Sequence, residues 1–240
     1  MVELELPKIA TEPTEVNPKR LVIYSKPKTG KTVAYGGLEN NLIIDLEKGS
    51  KFAKGLKIEV ENLEQLKQVG EKIKQSNYPY KYVTIDTVTV LEDMVKVLAL
   101  KNYMSTPIGK NFKENDILKL PQGAGYYWLR EAFFQVLDYI DTLAPHIILS
   151  GHLKDKQVDD NGQLVMAANI DLTGKIKSLI CSQADAIGYM YRNGNKTILS
   201  FKAMDEITCG ARPEHLKNKE ILLAEEVDGQ YKTYWDKIYK

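Results

Sequence analysis

The sequence predicts an α/β domain with a three-layer core: a mostly parallel sheet between helices, with an antiparallel extension at its C-terminal edge. Three observations predict it. Short apolar runs at 21–24, 42–46, 82–86 and 147–150 read as strands buried on both faces, the pattern of a parallel sheet. Segments of helical periodicity separate these runs, as βα units require. After residue 185 the apolar runs are joined instead by tight-turn sequences, Asn193-Gly194-Asn195 and Asp228-Gly229, which predict hairpins.

Each element has its own signal. Residues 1–19 hold Pro7, Pro13 and Pro18 among scattered Glu and Thr, and read as an extended arm. Strand 21–24 leads through a polar loop into a short helix over 32–38, stopped by Gly36-Gly37. A strand at 42–46 and a short one at 56–60 follow. Residues 62–75 place Leu63, Leu66, Val69 and Ile73 on one helical face, with Asn62 as the cap. A strand at 82–86 precedes a helix at 88–103. Residues 104–122 are polar, contain Pro107, Gly109 and Pro121, and read as a long loop. A helix at 125–144 is ended by Pro145, and 147–150 is the next strand. Residues 153–169 contain Asp159-Asp160-Asn161-Gly162, a hairpin turn or a mobile loop. A helix is expected at 175–183, a hairpin from 186–192 and 197–202, and a terminal β unit over 221–239. The expected organisation is an arm at 1–19, one domain at 20–220, and a β extension of that domain at 221–240.

Composition sets bounds. The chain has 240 residues, 43% hydrophobic and 27% charged, which is ordinary globular usage. Its net charge of +1 provides no global basic field, so any attraction for nucleic acid must come from local patches. The arginines are Arg20, Arg130, Arg192 and Arg212, and they do not cluster. Cys181 and Cys209 form no disulfide or zinc pattern and read as free thiols of a reducing cytoplasm. No apolar run reaches membrane-spanning length, and residues 1–6 lack the basic start of a signal peptide, so no membrane partner is expected.

The chemistry begins at Ser25-Lys26-Pro27-Lys28-Thr29-Gly30-Lys31-Thr32-Val33, a loop between an apolar strand and a helix. Its ending, Gly-Lys-Thr, is that of a phosphate-binding loop. Backbone N–H groups at a helix start converge on phosphate oxygens, Lys31 reaches the β- and γ-phosphates, and the Thr32 hydroxyl ligates Mg²⁺. Ser25 stands where the pattern has its first glycine, and Pro27 offers no N–H to the cradle. Strand 82–86 ends in Asp86, placed to hold the metal. Strand 42–46 runs into Asp45-Leu46-Glu47, at the strand end that lines the crevice in such sheets. Glu47 is the expected water-orienting carboxylate, and alternation puts Asp45 on the same side as a support. His152, just past strand 147–150, is placed to sense the γ-phosphate.

Together these pieces resemble the RecA-like ATPases: the loop 25–32, Glu47, Asp86, and Gly151-His152 where RecA-type recombinases have Asn-Gln. Asp45-Leu46-Glu47-Lys48-Gly49 and Ser150-Gly151-His152-Leu153-Lys154-Asp155-Lys156 are similar to phage-encoded members of the Sak-four type, proposed to act in single-strand annealing or recombination. The resemblance implies a RecA-like P-loop fold, ATP and Mg²⁺ as cofactors, single-stranded DNA as partner, and homo-oligomers with sites at subunit interfaces. It assigns DNA contacts to 104–122, with Lys110, Phe112, Lys113 and Lys119, and to 153–173, with Lys154 and Lys156. Lys202 or Arg212 is the expected basic residue acting in trans. Two alternatives stay open: a small-molecule or nucleotide kinase, and a nucleotide-gated scaffold that hydrolyses very slowly.

Overall fold

The computed structural model describes residue 6 and residues 8–158 and 163–240. The first strand, β1 (Arg20–Ser25), is buried throughout and leads into a short helix, α1 (Lys31–Gly36). Then come β2 (Asn41–Asp45), β3 (Leu56–Glu59), α2 (Leu63–Gln75), β4 (Tyr82–Asp86) and α3 (Val88–Met104). Segment 105–123 holds three single 3₁₀ turns rather than open loop. Next are α4 (Ala124–Ile140) and a long strand, β5 (His146–Lys154). Three short strands, β6 (Gln157–Val158), β7 (Leu164–Met166) and β8 (Asn169–Ile170), precede α5 (Ile176–Gln183). The chain ends in β9 (Ala186–Asn193), β10 (Lys196–Ser200), β11 (Gly210–Ala211), β12 (Glu220–Val227) and β13 (Gln230–Thr233).

The main sheet runs β13-β12-β10-β9-β1-β5-β4-β2-β3. From β9 to β3 the neighbours are parallel; β10, β12 and β13 are antiparallel. This is the three-layer, mostly parallel sheet with an antiparallel extension that the sequence predicts. Strand alternation splits the interior into two cores. Val22, Tyr24, Ile44, Val83, Ile85, Ile147 and Leu149 face one way, against α2, α3, α4 and α5. Leu21, Ile23, Ile43 and Ile148 face the other, against α1 and the C-terminal turn with Trp235 and Tyr239. No described helix is long and apolar enough to cross a membrane.

Some local expectations change. The helix expected at 125–144 ends at Ile140, and a 3₁₀-type turn, Leu143 N–H to Ile140 O, finishes it. β5 outruns the expected 147–150, because β8 returns antiparallel and pairs Leu153 with Ile170. β6 pairs with β7, while the expected turn at Asp159-Asp160-Asn161-Gly162 lies outside the described residues.

The amino ends of the parallel strands are clasped together. Arg20 forms an ion pair with Asp141 and donates Nη1–H to Gln183 Oε1 at 2.9 Å. One Asp185 oxygen accepts the backbone N–H of Lys19 and Arg20 at 3.0 and 3.1 Å, and the other accepts Arg212 Nη1 at 3.3 Å. His146 Nδ1 bonds Pro18 O at 2.9 Å.

Candidate nucleotide site

All elements of the expected phosphate loop meet at the carboxyl ends of β1, β2, β4 and β5. The register explains the convergence. Asp45 lies level with Asp86, Asp86 with Ser150, and Ser25 with His152. Past Ser25 the backbone coils tightly, with Lys28 at φ 61° and Gly30 at φ 95°, the left-handed region that glycine enters without strain. Ser25 Oγ and Thr29 Oγ1 both donate to Lys26 O, at 2.8 and 2.6 Å, and fix the coil. The first helical bond is Ala34 N–H to Gly30 O, so the amides of residues 28–33 bond to no other described residue. They form the set of donors a phosphate needs.

Lys31 is buried, 8% exposed, and donates Nζ–H to Ser25 Oγ at 2.9 Å. Burial lowers its pKa; the nearby Asp86 and Glu47 carboxylates act the other way. Asp86 is buried between two hydroxyls: Thr32 Oγ1 donates to one oxygen at 2.7 Å, and Ser150 Oγ to the other at 2.8 Å. Burial raises the Asp86 pKa, and the two hydroxyls oppose this in part. Glu47 Oε1 takes a hydrogen bond from Thr87 Oγ1 at 2.9 Å and lies 2.5 Å from His152 Nε2. Asp45 does something different. Its carboxylate accepts the backbone N–H of Glu47, Gly49 and Ser50 at 3.0, 3.3 and 2.8 Å, so it is consumed in holding the turn that aims Glu47.

Thr87 and Ser150, both fully buried, are not singled out by the sequence patterns. The available signal is a polar residue at the end of each of two apolar runs. His152 sits within β5 rather than past it, and its backbone O accepts Asp171 N–H at 2.9 Å. Segment 169–174 is in turn tied to α3: Thr89 Oγ1 donates to Asp171 O at 3.2 Å, and Thr173 N–H reaches Glu92 Oε2 at 3.1 Å. Burial raises the pKa of Glu92.

The donors present bear on the Mg²⁺ that the phosphate-loop pattern implies. Among the described residues no cluster of three His, Cys, Asp or Glu side chains can cage a metal. Mg²⁺ keeps most of its waters and takes one or two protein oxygens plus phosphates, so a Thr32 hydroxyl beside an Asp86 carboxylate is a fitting set.

The other residues that the sequence marks for function lie elsewhere. Phe112 is partly buried against Tyr103, with ring centroids 5.4 Å apart, so it packs on the core's margin and offers little free face. Lys119 pairs with Glu114 at 2.7 Å, Lys154 with Asp171 at 3.3 Å and Lys156 with Glu206 at 2.5 Å. Lys110 and Lys113 have no side-chain partner among the described residues. Arg212 is level with Asp185 at the amino ends of the strands, opposite the phosphate loop, and its Nη2 donates to Ser182 O at 2.7 Å. Lys202 follows β10, which runs back from the carboxyl edge.

The extension braces the loop from the side. Trp235 Nε1 donates to Ala34 O at 2.8 Å, Thr233 Oγ1 to Gly37 O at 3.0 Å, and Tyr231 OH lies 3.6 Å from where a Cβ on Gly30 would stand. A cavity of about 690 Å³ lies away from all of this between α2, α3 and α4, lined by Leu63, Leu66, Met94, Leu98 and Val136 along with Lys67 and Lys101.

No protein of curated function matches the sequence. Among solved structures, a KaiC-like protein of the hyperthermophilic archaeon Pyrococcus horikoshii is similar at 14% identity and a TM-score of 0.44, over 90% of this chain and 89% of that one. A family model described as an AAA domain matches residues 17–213, which include β1, the phosphate loop, Glu47, Asp86 and His152. The chain belongs to that AAA domain family.

Proposed function

We propose that this protein is a Mg²⁺-dependent ATPase of phage type that acts on single-stranded DNA in recombination, annealing or replication. The observation that carries the ATPase reading is Glu47: a partly exposed carboxylate aimed by Thr87 and His152 at the mouth of a loop holding Lys31, Thr32 and Asp86. In this reading the amides of 28–33 and Lys31 bind the phosphates, and Lys31 leaves Ser25 to do so. Thr32 and Asp86 hold Mg²⁺, which when bound neutralises charge on the phosphates. Glu47 orients the attacking water, and His152 holds Glu47 on the side facing β5 and segment 169–174. Catalysis is positioning plus electrostatics.

The single-stranded DNA and homo-oligomer parts rest on the family resemblance and on Lys110 and Lys113, whose side chains have no partner among the described residues. A kinase is supported less well. Its acceptor site would use arginines, yet Arg20 and Arg212 are committed to Asp141 and Asp185.

The test is ATP turnover with and without Mg²⁺ and an oligothymidylate, in wild type and Glu47→Gln. The variant should bind ATP normally and lose on the order of 10²-fold in turnover, since it removes a charge and little volume. Undiminished turnover would remove Glu47 from the reaction.

A further inference from the structure

Four rings beside the start of α4 form an edge-on ladder, three of them partly buried at the core's margin and the fourth exposed. Phe112 meets Tyr103 at 5.4 Å and 86°, Tyr103 meets Trp128 at 5.6 Å and 63°, and Trp128 meets Tyr127 at 5.7 Å and 84°. Phe112, at one end, is partly buried. The outer end, Tyr127, is 51% exposed, and its neighbour Tyr126 is 50% exposed. Two half-open tyrosines side by side at a helix start present apolar ring faces with a polar tip, the kind of surface tyrosine supplies at interfaces.

Their surroundings favour a polyanion with flat faces. The Arg130 guanidinium lies 5.4 Å from the centre of the Tyr127 ring. Gly174, at φ 55°, lies beside Tyr126, where a Cβ would stand 3.5 Å from the ring, an ordinary contact. Lys175 follows, exposed. Lys110 and Lys113 flank Phe112 at the ladder's base. The acids nearby are largely engaged: Glu131 lies 3.6 Å from Arg130, Glu114 pairs with Lys119, and Asp116 accepts Leu118 N–H.

We propose that Tyr126 and Tyr127, flanked by Arg130 and Lys175, are the platform on which bases of single-stranded DNA stack. This rests on the reading that the chain acts on single-stranded DNA, and it moves the stacking role from Phe112 to the ladder's outer end. Adjacent helical residues are splayed by about 100°, so the two rings can take successive bases rather than one. Stacking is sequence-tolerant because every base has a π-face, and a lysine or arginine on either side holds the phosphates. Tyr126 abuts Gly174, and segment 169–174 is hydrogen-bonded to His152, so the platform is joined to the Glu47 side of the nucleotide site by continuous contacts.

The test uses the whole chain and a labelled oligothymidylate, read by fluorescence anisotropy over a salt series. The Tyr126→Ala/Tyr127→Ala double variant should bind at least about tenfold more weakly than wild type. Its salt slope should be unchanged, since no phosphate contact is lost. Tyr126→Phe/Tyr127→Phe should bind like wild type, and ATP turnover without DNA should be equal in all three. Wild-type affinity in the alanine variant overturns the platform. So does a phenylalanine variant as weak as the alanine one, because the rings would then not be the binding element. Absence of binding by wild type at any salt overturns instead the single-strand reading beneath it. Should the double alanine variant fail to fold, photocrosslinking of a 5-iodouracil oligonucleotide to wild type decides: adducts on Tyr126 or Tyr127 support the platform, and adducts confined to other residues reject it.

Discussion

At the scale of single residues, the site is a set of opposed burial costs. Asp86 is a carboxylate enclosed by the fold with two hydroxyl donors, and Lys31 is the cation among the described residues that offsets its charge in part. Its raised pKa fixes the sign of a pH effect. The folded chain holds that proton more tightly than the unfolded one, so stability is lost as pH rises from the ordinary carboxylate range through the folded-state pKa. Asp86→Asn should therefore flatten the melting profile of nucleotide-free protein over that window. It should raise Tm at neutral pH by a few degrees, at about 2–4 °C per kcal/mol for this chain length. Mg²⁺-dependent ATP binding should be lost. A lower Tm across the whole pH range would contradict the account. Asp86 and the Gly30-Lys31-Thr32 ending are legible in the sequence because the chemistry fixes residue types at strand ends. The division of labour between Asp45 and Glu47 is not. Alternation puts both on one side, but β2 stops at Asp45, and the backbone then turns through Lys48 at φ 59°, so Asp45 folds back onto its own turn.

At the scale of elements, α1 is a short helix held by close approaches rather than by its own length. A helix this short is marginal alone. Gly36 has its Cα against the 54–55 backbone, where a Cβ would stand 1.8 Å from Lys54 O; only a residue without one fits. Gly36→Ala should push α1 off segment 53–55, cost about 1–3 kcal/mol or more, and lower Tm by roughly 3–10 °C. ATP affinity should fall with it, since the amides of 28–33 move with the helix. Differential scanning calorimetry and ATP titration check both, and an unchanged Tm would mean the helix has slack. In the sequence Gly36-Gly37 reads as a stop signal, which Gly37 is: its N–H bonds back to Ala34 O at 3.1 Å. The role of Gly36 is not readable locally, because its neighbour lies on a different segment. The same holds for β8, too short to carry a periodic signal and visible only as the partner of an extended β5. The strands of the parallel core are legible, since burial on both faces leaves a run of apolar residues that needs no tertiary knowledge.

At the scale of the whole molecule, the near-neutral net charge means that any affinity for DNA is built from a few phosphate contacts. Lys110→Gln/Lys113→Gln should weaken oligothymidylate binding and flatten the dependence of log affinity on log salt by about 1.4, at about 0.7 per contact on a single strand. Superimposable salt curves for variant and wild type would place the contacts elsewhere. The clasp at the amino ends of the strands has a mechanical consequence. Arg20, Asp141, Asp185, Arg212 and His146 bolt β1, β5, β9 and the end of α4 into one stiff block. The carboxyl ends are joined differently: Asp86 is tied to Thr32 and Ser150, and Glu47 to Thr87 and His152, through hydroxyl and imidazole contacts. The two ends therefore differ in what can loosen them. The amino-end ion pairs have partners of their own in the fold, whereas the carboxyl-end groups are the ones a bound phosphate or cation would compete for, so a ligand can rearrange one end and leave the other standing.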